Sequence, residues 1–257
     1  MKPIITLFLL FGCFLAHTQT LESFERHFTW NPDSTLVHAQ ASMDSRILAK
    51  LPYGTEVLKQ AELKDRKYYL LIGELDGAID EPEKAAGYAI PTYWVHIKHD
   101  NIEGYALNAE VINFPPYSLT QHGYFVLDMD VVKDVYGSKP ERFKITKVQN
   151  WEDGGSYEVK VDSLSFKDGS YQLSQYFDSC FDRTYYYRGK PIDQVYFMFK
   201  PQYYLRIPVK GKSDHILFPR LKGVEATKFL FDHVEAHNDI YIDFSNTEII
   251  FGSYDCT

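Results

Sequence analysis

The chain has 257 residues, which is enough for two compact domains. Aromatic residues make up 16% of it, which favours a well-filled β core and excludes an intrinsically disordered protein. Its 35 acidic residues outnumber its 27 basic residues and give a formal net charge of -8. Because phosphates and anionic lipid surfaces repel an acidic chain, this charge argues against nucleic acids and anionic membrane surfaces as partners.

The first 18 residues have the pattern of a secretory signal peptide. Lys2 supplies the positive charge, an apolar run over residues 4–11 forms the core, and the small residues Ala16 and Thr18 precede the cleavage site. Cleavage would leave Gln19 as the new N-terminus. The apolar run is too short to span a bilayer as a helix, and no later segment is long and apolar enough to do so.

A lipoprotein signal is the alternative interpretation of this N-terminus. Residues 10–13 approximate a bacterial lipobox, which would anchor the protein through Cys13. We favour cleavage after Thr18, because Phe11 is bulky for its place in that motif and the apolar run before Cys13 is short. Both interpretations predict export to the periplasm or the cell surface.

The segment from Leu36 to Ile112 carries a series of short motifs. An apolar strand at 36–39 is followed by a Ser-x-apolar-apolar-x-x-Leu-x-x-Gly-x-x-Val segment that begins at Ser45, and then by Trp94-Val95-His96-Ile97 and Gly104-Tyr105. The order of these motifs resembles a bacterial SH3-like domain. The resemblance implies a small barrel over 33–113 that binds a ligand and catalyses no reaction.

The strands of this barrel are expected to be short and half-buried. The spacing predicts five inward-facing residues: Val37, Ala39, Leu48, Leu51 and Val57. The chain departs from the family by a long insertion over about 58–93. The insertion includes an acidic run, which consists of Glu74, Asp76, Asp80, Glu81 and Glu83.

Four aromatic residues are candidates for the binding groove. Tyr53, Tyr93, Trp94 and Tyr105 could line a groove on the barrel, as aromatic residues do in SH3-like peptide recognition. The alternative is that Trp94 and Tyr105 fill the barrel core. Tyr53 is expected to matter least for the core, because it lies in a Pro-Tyr-Gly turn.

A second domain is predicted over 117–257, after the boundary formed by Phe114-Pro115-Pro116. We predict a β-rich α+β domain of unassigned family. Its first helix should run from Asp128, a capping residue, to Gly137. A second helix is possible over Glu225–His237, with Ala226, Leu230 and Val234 on one stripe.

Most of this second domain is predicted as strands. Asp168-Gly169 indicates a hairpin with a two-residue type I′ turn. Alternating or β-branched segments predict strands at Tyr157–Val161, Tyr185–Tyr187, Val195–Phe199, Tyr203–Ile207, Ile240–Phe244 and Ile249–Tyr254. The fold class predicted for the whole chain is therefore mainly β, with a small SH3-like barrel followed by a β-rich α+β domain.

Cys180 and Cys256 are predicted to form a disulfide. They are the two cysteines that remain if Cys13 leaves with the signal peptide, and an even pair in an oxidising compartment is typical of a bridge. A reactive thiol at Cys180 is the alternative. The flanking Asp178 and Asp182 would raise its pKa, which disfavours a nucleophile.

The sequence contains one cluster that resembles a metal site. His233 and His237 are four residues apart and would share one face of a helix, but Glu235 does not follow the first histidine directly, as the HExxH zinc motif requires. We interpret the pair as part of a solvated helix end. No metal, cofactor or catalytic residue is predicted.

These observations predict an exported, non-enzymatic binding protein of the bacterial cell envelope. The resemblance implies that its SH3-like domain binds a wall peptide, a glycan or an envelope protein. The alternative is an envelope hydrolase whose active site lies in the C-terminal domain, with the SH3-like domain as a targeting module. A structural envelope component is a third possibility.

Overall fold

The computed structural model describes residues 24–72, 88–119, 125–150, 152, 154–177, 180–202, 205–207, 215–217, 220–225, 227–233, 236–245 and 248–256. Within these residues the chain is mainly β, as predicted, with two α-helices. None of the described helices is long and apolar enough to cross a membrane. The predicted signal peptide, Cys13 and the acidic run of the insertion lie outside the described residues.

The N-terminal half forms a seven-stranded sheet with the strand order β3-β2-β6-β5-β4-β1-β7. A 3-10 helix, Asn108–Glu110, connects β6 to β7. Much of the predicted insertion extends β4 and β5 into a long antiparallel pair. The strands are β1 Glu25–Thr29, β2 Thr35–His38, β3 Ile47–Leu51, β4 Glu56–Ile72, β5 Tyr88–His99, β6 Ile102–Leu107 and β7 Val111–Ile112.

Three of the five predicted inward-facing residues lie in one small core. Val37, Leu51 and Val57 are buried there. Ala39 is half-buried, and Leu48 is 37% exposed, so the prediction for Leu48 was wrong. The register of β2 and β3 skips Leu48, because Val37 pairs with Ala49 and His38 pairs with Ile47. This bulge puts Ala49, not Leu48, against the core.

The Gly-Tyr motif needs its glycine, Gly104, for steric reasons. A Cβ atom on Gly104 would lie 2.5 Å from the carbonyl oxygen of His38 and 2.9 Å from Cγ1 of Val37. Only glycine therefore lets β6 approach β2 this closely. This approach places Tyr105 opposite His38.

The C-terminal half is built on an eight-stranded antiparallel sheet with the order β10-β11-β12-β13-β19-β18-β17-β16. Two smaller pairs, β8 with β9 and β14 with β15, accompany it. The strands are β8 Tyr117–Leu119, β9 Phe125–Leu127, β10 Glu141–Asn150, β11 Ser156–Ser165, β12 Tyr171–Phe177, β13 Cys180–Arg188, β14 Leu205–Ile207, β15 His215–Leu217, β16 Arg220–Glu225, β17 Lys228–His233, β18 Ala236–Asp243 and β19 Glu248–Cys256.

The first helix, α1, runs over Met129–Tyr136 and confirms the prediction. The carboxylate of Asp128 accepts hydrogen bonds from the backbone N–H groups of Asp130 and Val131. Gly137 adopts the left-handed conformation that ends the helix.

The hairpin at Asp168-Gly169 is present, but the predicted turn type was wrong. Ser165 pairs with Tyr171, so β11 and β12 are joined as expected. Gly169 has a φ of 86°, whereas Asp168 is not among the residues with positive φ, which a type I′ turn would require. Phe166 N–H donates to the carbonyl of Ser170 at 2.8 Å, which leaves a three-residue loop with Gly169 in its last position.

Two of the predicted elements in the C-terminal half were assigned to the wrong class. The segment 195–199 is not a strand but belongs to the second helix, α2, at Ile192–Gln202. The predicted helix Glu225–His237 is replaced by β16, β17 and β18. Phe229 and Phe231 alternate into the core there, which satisfies the strand period.

The largest hydrophobic core contains residues from both predicted domains. Trp30 and Phe114 lie in it together with Tyr187, Phe199 and Phe251. The helix α2 also binds the N-terminal half through polar contacts. The amide nitrogen of Gln194 donates to the backbone carbonyl and to Oδ1 of Asn108, both at 3.3 Å. These contacts fix α2 beside the 3-10 helix.

Cys180 lies directly opposite Cys256 in the antiparallel pair of β13 and β19. Opposed residues in such a pair have Cα atoms about 4.5–5.5 Å apart, which is inside the range of about 4.4–6.8 Å for disulfides. The register is therefore compatible with the predicted bridge, which would join neighbouring strands within one sheet.

We expect thiol titration of the protein purified from its native host, denatured without reductant, to detect no free thiol. Reduction should lower the free energy of unfolding, by about 4 kcal/mol if the loop-closure model holds. The Cys180→Ser/Cys256→Ser double variant, titrated in parallel, gives the background. Two titratable thiols in the wild type would refute the bridge and favour the alternative of a functional Cys180.

Candidate functional site

Trp94 lines a pocket of about 250 Å³ in the N-terminal half, which we call the Trp94 pocket. The walls combine apolar side chains with carboxyl, amide, hydroxyl and imidazole groups. The lining residues are Asn31, Asp33, Ser34, Leu36, His38, Met43, Trp94, Leu107 and Glu110. Its volume is below the roughly 300–1,000 Å³ of sites for drug-sized ligands, so it suits a group of side-chain size.

The loop between β1 and β2 supplies one rim of this pocket. The backbone N–H of Asp33 donates to Oδ1 of Asn31 at 3.2 Å, which forms a local turn and leaves the Asp33 side chain exposed. Ser34 has a φ of 145°, a conformation that residues other than glycine rarely adopt. Such strain persists only where the surrounding structure enforces it, and it is found preferentially at functional sites.

Glu110 supplies the half-buried acidic group of the pocket. It is the last residue of the 3-10 helix, and its backbone carbonyl accepts from the N–H of Trp30 at 2.8 Å. Its side-chain Oε1 accepts from Nδ2 of Asn31 at 3.1 Å. Burial raises the pKa of Glu110 to about 7, because the Asn31 hydrogen bond and the charge of Lys200 only partly offset the loss of hydration.

Lys200, on α2, is a cation whose charge interacts with the carboxylates of Asp33 and Glu110. Burial lowers the pKa of Lys200, while the negative charges of Asp33 and Glu110 oppose that change. With Glu110 ionised, the two carboxylates outnumber this one ammonium group. The electrostatics of the pocket therefore favour a positively charged ligand group.

His38 holds the indole of Trp94 in place. The two rings meet edge to face, with centroids 5.2 Å apart, and each residue is 3% exposed. The His38 Nδ1 atom donates to the carbonyl oxygen of Ser45 at 3.3 Å. Trp94 is therefore a fixed wall, with little of its surface accessible, of the same pocket that Asp33 and Glu110 line, and aromatic walls of this kind contribute to cation binding.

Of the four aromatic residues predicted as a groove, Tyr53 and Trp94 line separate pockets. Tyr53 lines a separate groove of about 830 Å³, together with Arg26, Pro52 and Asp134 among others. Its hydroxyl accepts the backbone N–H of Tyr117 at 2.9 Å, and its ring contacts that of Trp30 edge to face. Burial raises the pKa of Tyr53. Contrary to expectation, the ring of Tyr53 is therefore part of the core packing.

Tyr93 and Tyr105 are both half-buried and lie outside the Trp94 pocket. Tyr105 pairs with His96 across β5 and β6, and their ring centroids are 5.2 Å apart. Tyr93 lies on the opposite face of β5 from Trp94, because neighbouring residues of a strand point to opposite faces. Trp94 itself is buried on the face opposite Val95 and Ile97, which form the small core.

Sequence reasoning missed Asp33 and Glu110. The turn-forming residues Asn31-Pro32-Asp33-Ser34 mark a polar loop, but nothing local connects that loop with residue 110. The connection arises from the pairing of β1 with β7, in which Thr29 lies opposite Val111. A strand pairing over some eighty residues is not visible in one sequence.

His233 and His237 do not share a helix face, because His233 ends β17 and His237 belongs to β18. Within the described ranges, no three or more His, Cys, Asp or Glu side chains are grouped to hold a metal ion.

Comparison with known proteins identifies no relative of this chain. No model of a known protein family matches the sequence, and no curated protein or solved structure matches it significantly.

Proposed function

We propose that the protein is an exported, non-enzymatic binding protein of the bacterial cell envelope, and that its SH3-like N-terminal half binds the ligand. The export proposal is supported by the signal-like N-terminus. The binding proposal is supported most by the Trp94 pocket, which joins a fixed aromatic wall to the carboxylates of Asp33 and Glu110.

The chemistry of the pocket favours one ligand class among those that the resemblance suggests. Two carboxylates beside an indole bind an ammonium or guanidinium group better than a neutral sugar. The small volume admits one such side chain. We therefore propose a peptide ligand with a cationic side chain, from the wall or from an envelope protein, in preference to a glycan.

Co-sedimentation with purified cell walls and pull-down from envelope extracts test this function. The informative variant is Glu110→Gln, which preserves size and can still accept the Asn31 hydrogen bond. We expect it to bind about tenfold more weakly, because one negative charge is removed beside the ligand cation. Glu141→Gln, at the exposed start of β10, makes the same chemical change far from the pocket and should bind normally.

Equal retention of the wild type and Glu110→Gln would contradict the pocket as the binding site. Capture of no wall or envelope component by the wild type would contradict the function itself.

A further inference from the structure

The C-terminal half contains a second concave site, lined by one face of the eight-stranded sheet. Asp162 pairs with Ser174 across β11 and β12, and Ser174 pairs with Arg183 across β12 and β13. In the next row of the same face, Leu164 pairs with Gln172, and Gln172 pairs with Tyr185. Because i and i+2 residues share a face, the register alone gathers these side chains.

These side chains line a cavity of about 340 Å³, which we call the Gln202 pocket. Its opposite walls come from β8, β9, the start of α1 and the end of α2. The α2 contribution is Gln202. The cavity therefore has a polar floor on the sheet and a roof built from four other elements.

The charged groups around the floor are mostly cationic. Arg142 donates through Nε and Nη2 to the two carboxylate oxygens of Asp162, at 2.9 and 2.5 Å, and the ammonium of Lys144 lies 3.4 Å from the same carboxylate. Arg142 chiefly holds the pKa of Asp162 below its ordinary value, so this carboxylate is ionised. Arg183 also lines the pocket, so two arginines and one carboxylate lie along its floor.

Gln202 presents a buried polar group that none of the described residues satisfies. Its Oε1 accepts from the hydroxyl of Tyr185 at 2.6 Å, which fixes the side chain. Its Nε2 is buried and has no hydrogen-bond partner among the described residues. A buried donor without an acceptor is destabilising, and native structures retain few of them.

We propose that the Gln202 pocket binds a carboxylate group of a ligand. A carboxylate would accept the hydrogen bond that Nε2 of Gln202 can donate, and it would lie among Arg142, Arg183 and the hydroxyl of Ser174. Arginine is suited to this role because its planar donors match a carboxylate and because Arg142 keeps N–H groups beyond those used by Asp162. This site is separate from the Trp94 pocket and does not depend on the function proposed for it.

The carboxylate could belong to a free organic acid or to the C-terminus of a peptide. Calorimetric titration of the full chain should use three probes: succinate, N-acetyl-alanyl-alanine, and the C-terminal amide of that dipeptide. Binding of succinate alone supports a free acid, and binding of the dipeptide acid supports a peptide terminus. The amide should bind at least about tenfold more weakly than the acid.

The informative variant is Gln202→Glu, which has nearly the same shape but places a carboxylate where the ligand carboxylate is expected. We expect it to weaken binding of the better acid probe at least about tenfold. Gln40→Glu, in an exposed loop of the N-terminal half, adds the same charge and should have no effect. Ser174→Asp adds a carboxylate to the floor and should likewise weaken binding at least about tenfold, which keeps the test decisive if Gln202→Glu fails to fold.

Failure of both acids to bind at millimolar concentration would overturn the proposal. Equal binding of the dipeptide acid and its C-terminal amide would also overturn it. So would binding of the better acid probe that is unchanged in folded Gln202→Glu and Ser174→Asp.

Discussion

The Trp30→Ala variant should lose about 3–5 kcal/mol of the free energy of unfolding. Trp30 is fully buried, and its ring lies 5.7, 6.1 and 5.5 Å from those of Tyr53, Phe114 and Tyr117. Its indole N–H also donates to the carbonyl of Phe114 at 3.2 Å. Removing the ring leaves a cavity at the place where the N-terminal sheet meets the second half of the chain.

Urea unfolding followed by far-UV circular dichroism and by fluorescence measures this effect. Because both halves contribute to the core around Trp30, we expect one transition that shifts as a whole. Phe143→Ala is the control, since Phe143 is 58% exposed on the edge strand β10, and it should change stability by at most about 1 kcal/mol. Two transitions, of which only one shifts in Trp30→Ala, would contradict a shared core.

The Glu110→Gln variant should be more stable than the wild type above neutral pH. Burial raises the pKa of Glu110 from its ordinary value of 4.5 to about 7, so the folded state holds a proton that the unfolded state has already released. Stability therefore declines as pH rises from about 4.5 through 7, by up to about 3 kcal/mol. Glutamine is neutral at every pH and removes this penalty.

The contribution of His27 to the free energy of unfolding changes with pH in the opposite direction. Burial, and secondly the charge of Lys59, lowers the pKa of His27 from 6.5 to about 4. The unfolded state then binds the extra proton, so stability is lost as pH falls from about 6.5 through 4. In the wild type the two effects oppose each other between about pH 4.5 and 6.5.

Urea unfolding at several values between about pH 4 and 8 separates these effects. In Glu110→Gln the Glu110 contribution is absent, so the gain in stability through His27 between about pH 4 and 6.5 is no longer opposed by it, and the variant should gain stability relative to the wild type as pH rises from about 4.5 through 7. The Glu141→Gln control should follow the wild-type curve. Identical pH profiles for Glu110→Gln and the wild type would show that the Glu110 carboxyl is not desolvated.

Local signals predicted several elements of the C-terminal half correctly. The helix α1 has a capping aspartate and a terminal glycine in sequence, and both act within one helical turn. The hairpin at Gly169 also has a local cause, although the loop is one residue longer than a type I′ turn. Such features are encoded within a few residues.

The wrong predictions of secondary structure occur in segments whose conformation is determined by tertiary packing. Val195, Phe197, Met198 and Phe199 of α2 are all buried, so this apolar run has no helical stripe and its pattern predicts a buried strand instead. The segment 225–237 carries both a possible helical stripe and a strand alternation. Pairing of β17 with β16 and β18 selects the strands.

The candidate site was predicted only in part for the same reason. Trp94 could be singled out because aromatic residues often form binding walls. Its partners could not be identified from the sequence. Asp33 and Glu110 are brought together by non-local strand pairing, and Lys200 lies on a helix in the other half of the chain. The prediction that Tyr53 lies outside the core was wrong, because its contact with Tyr117 crosses the predicted domain boundary.

Calorimetric titration with Nα-acetyl-lysine amide tests the central claim, cation binding in the Trp94 pocket, most directly. Nα-acetyl-norleucine amide is the matched probe without the charge. We predict that the wild type binds the lysine probe and not the norleucine probe. Its affinity should rise with pH through about 7 as Glu110 ionises, whereas Glu110→Gln should bind weakly at every pH. Equal binding of the two probes, or wild-type affinity in Glu110→Gln, would contradict the account.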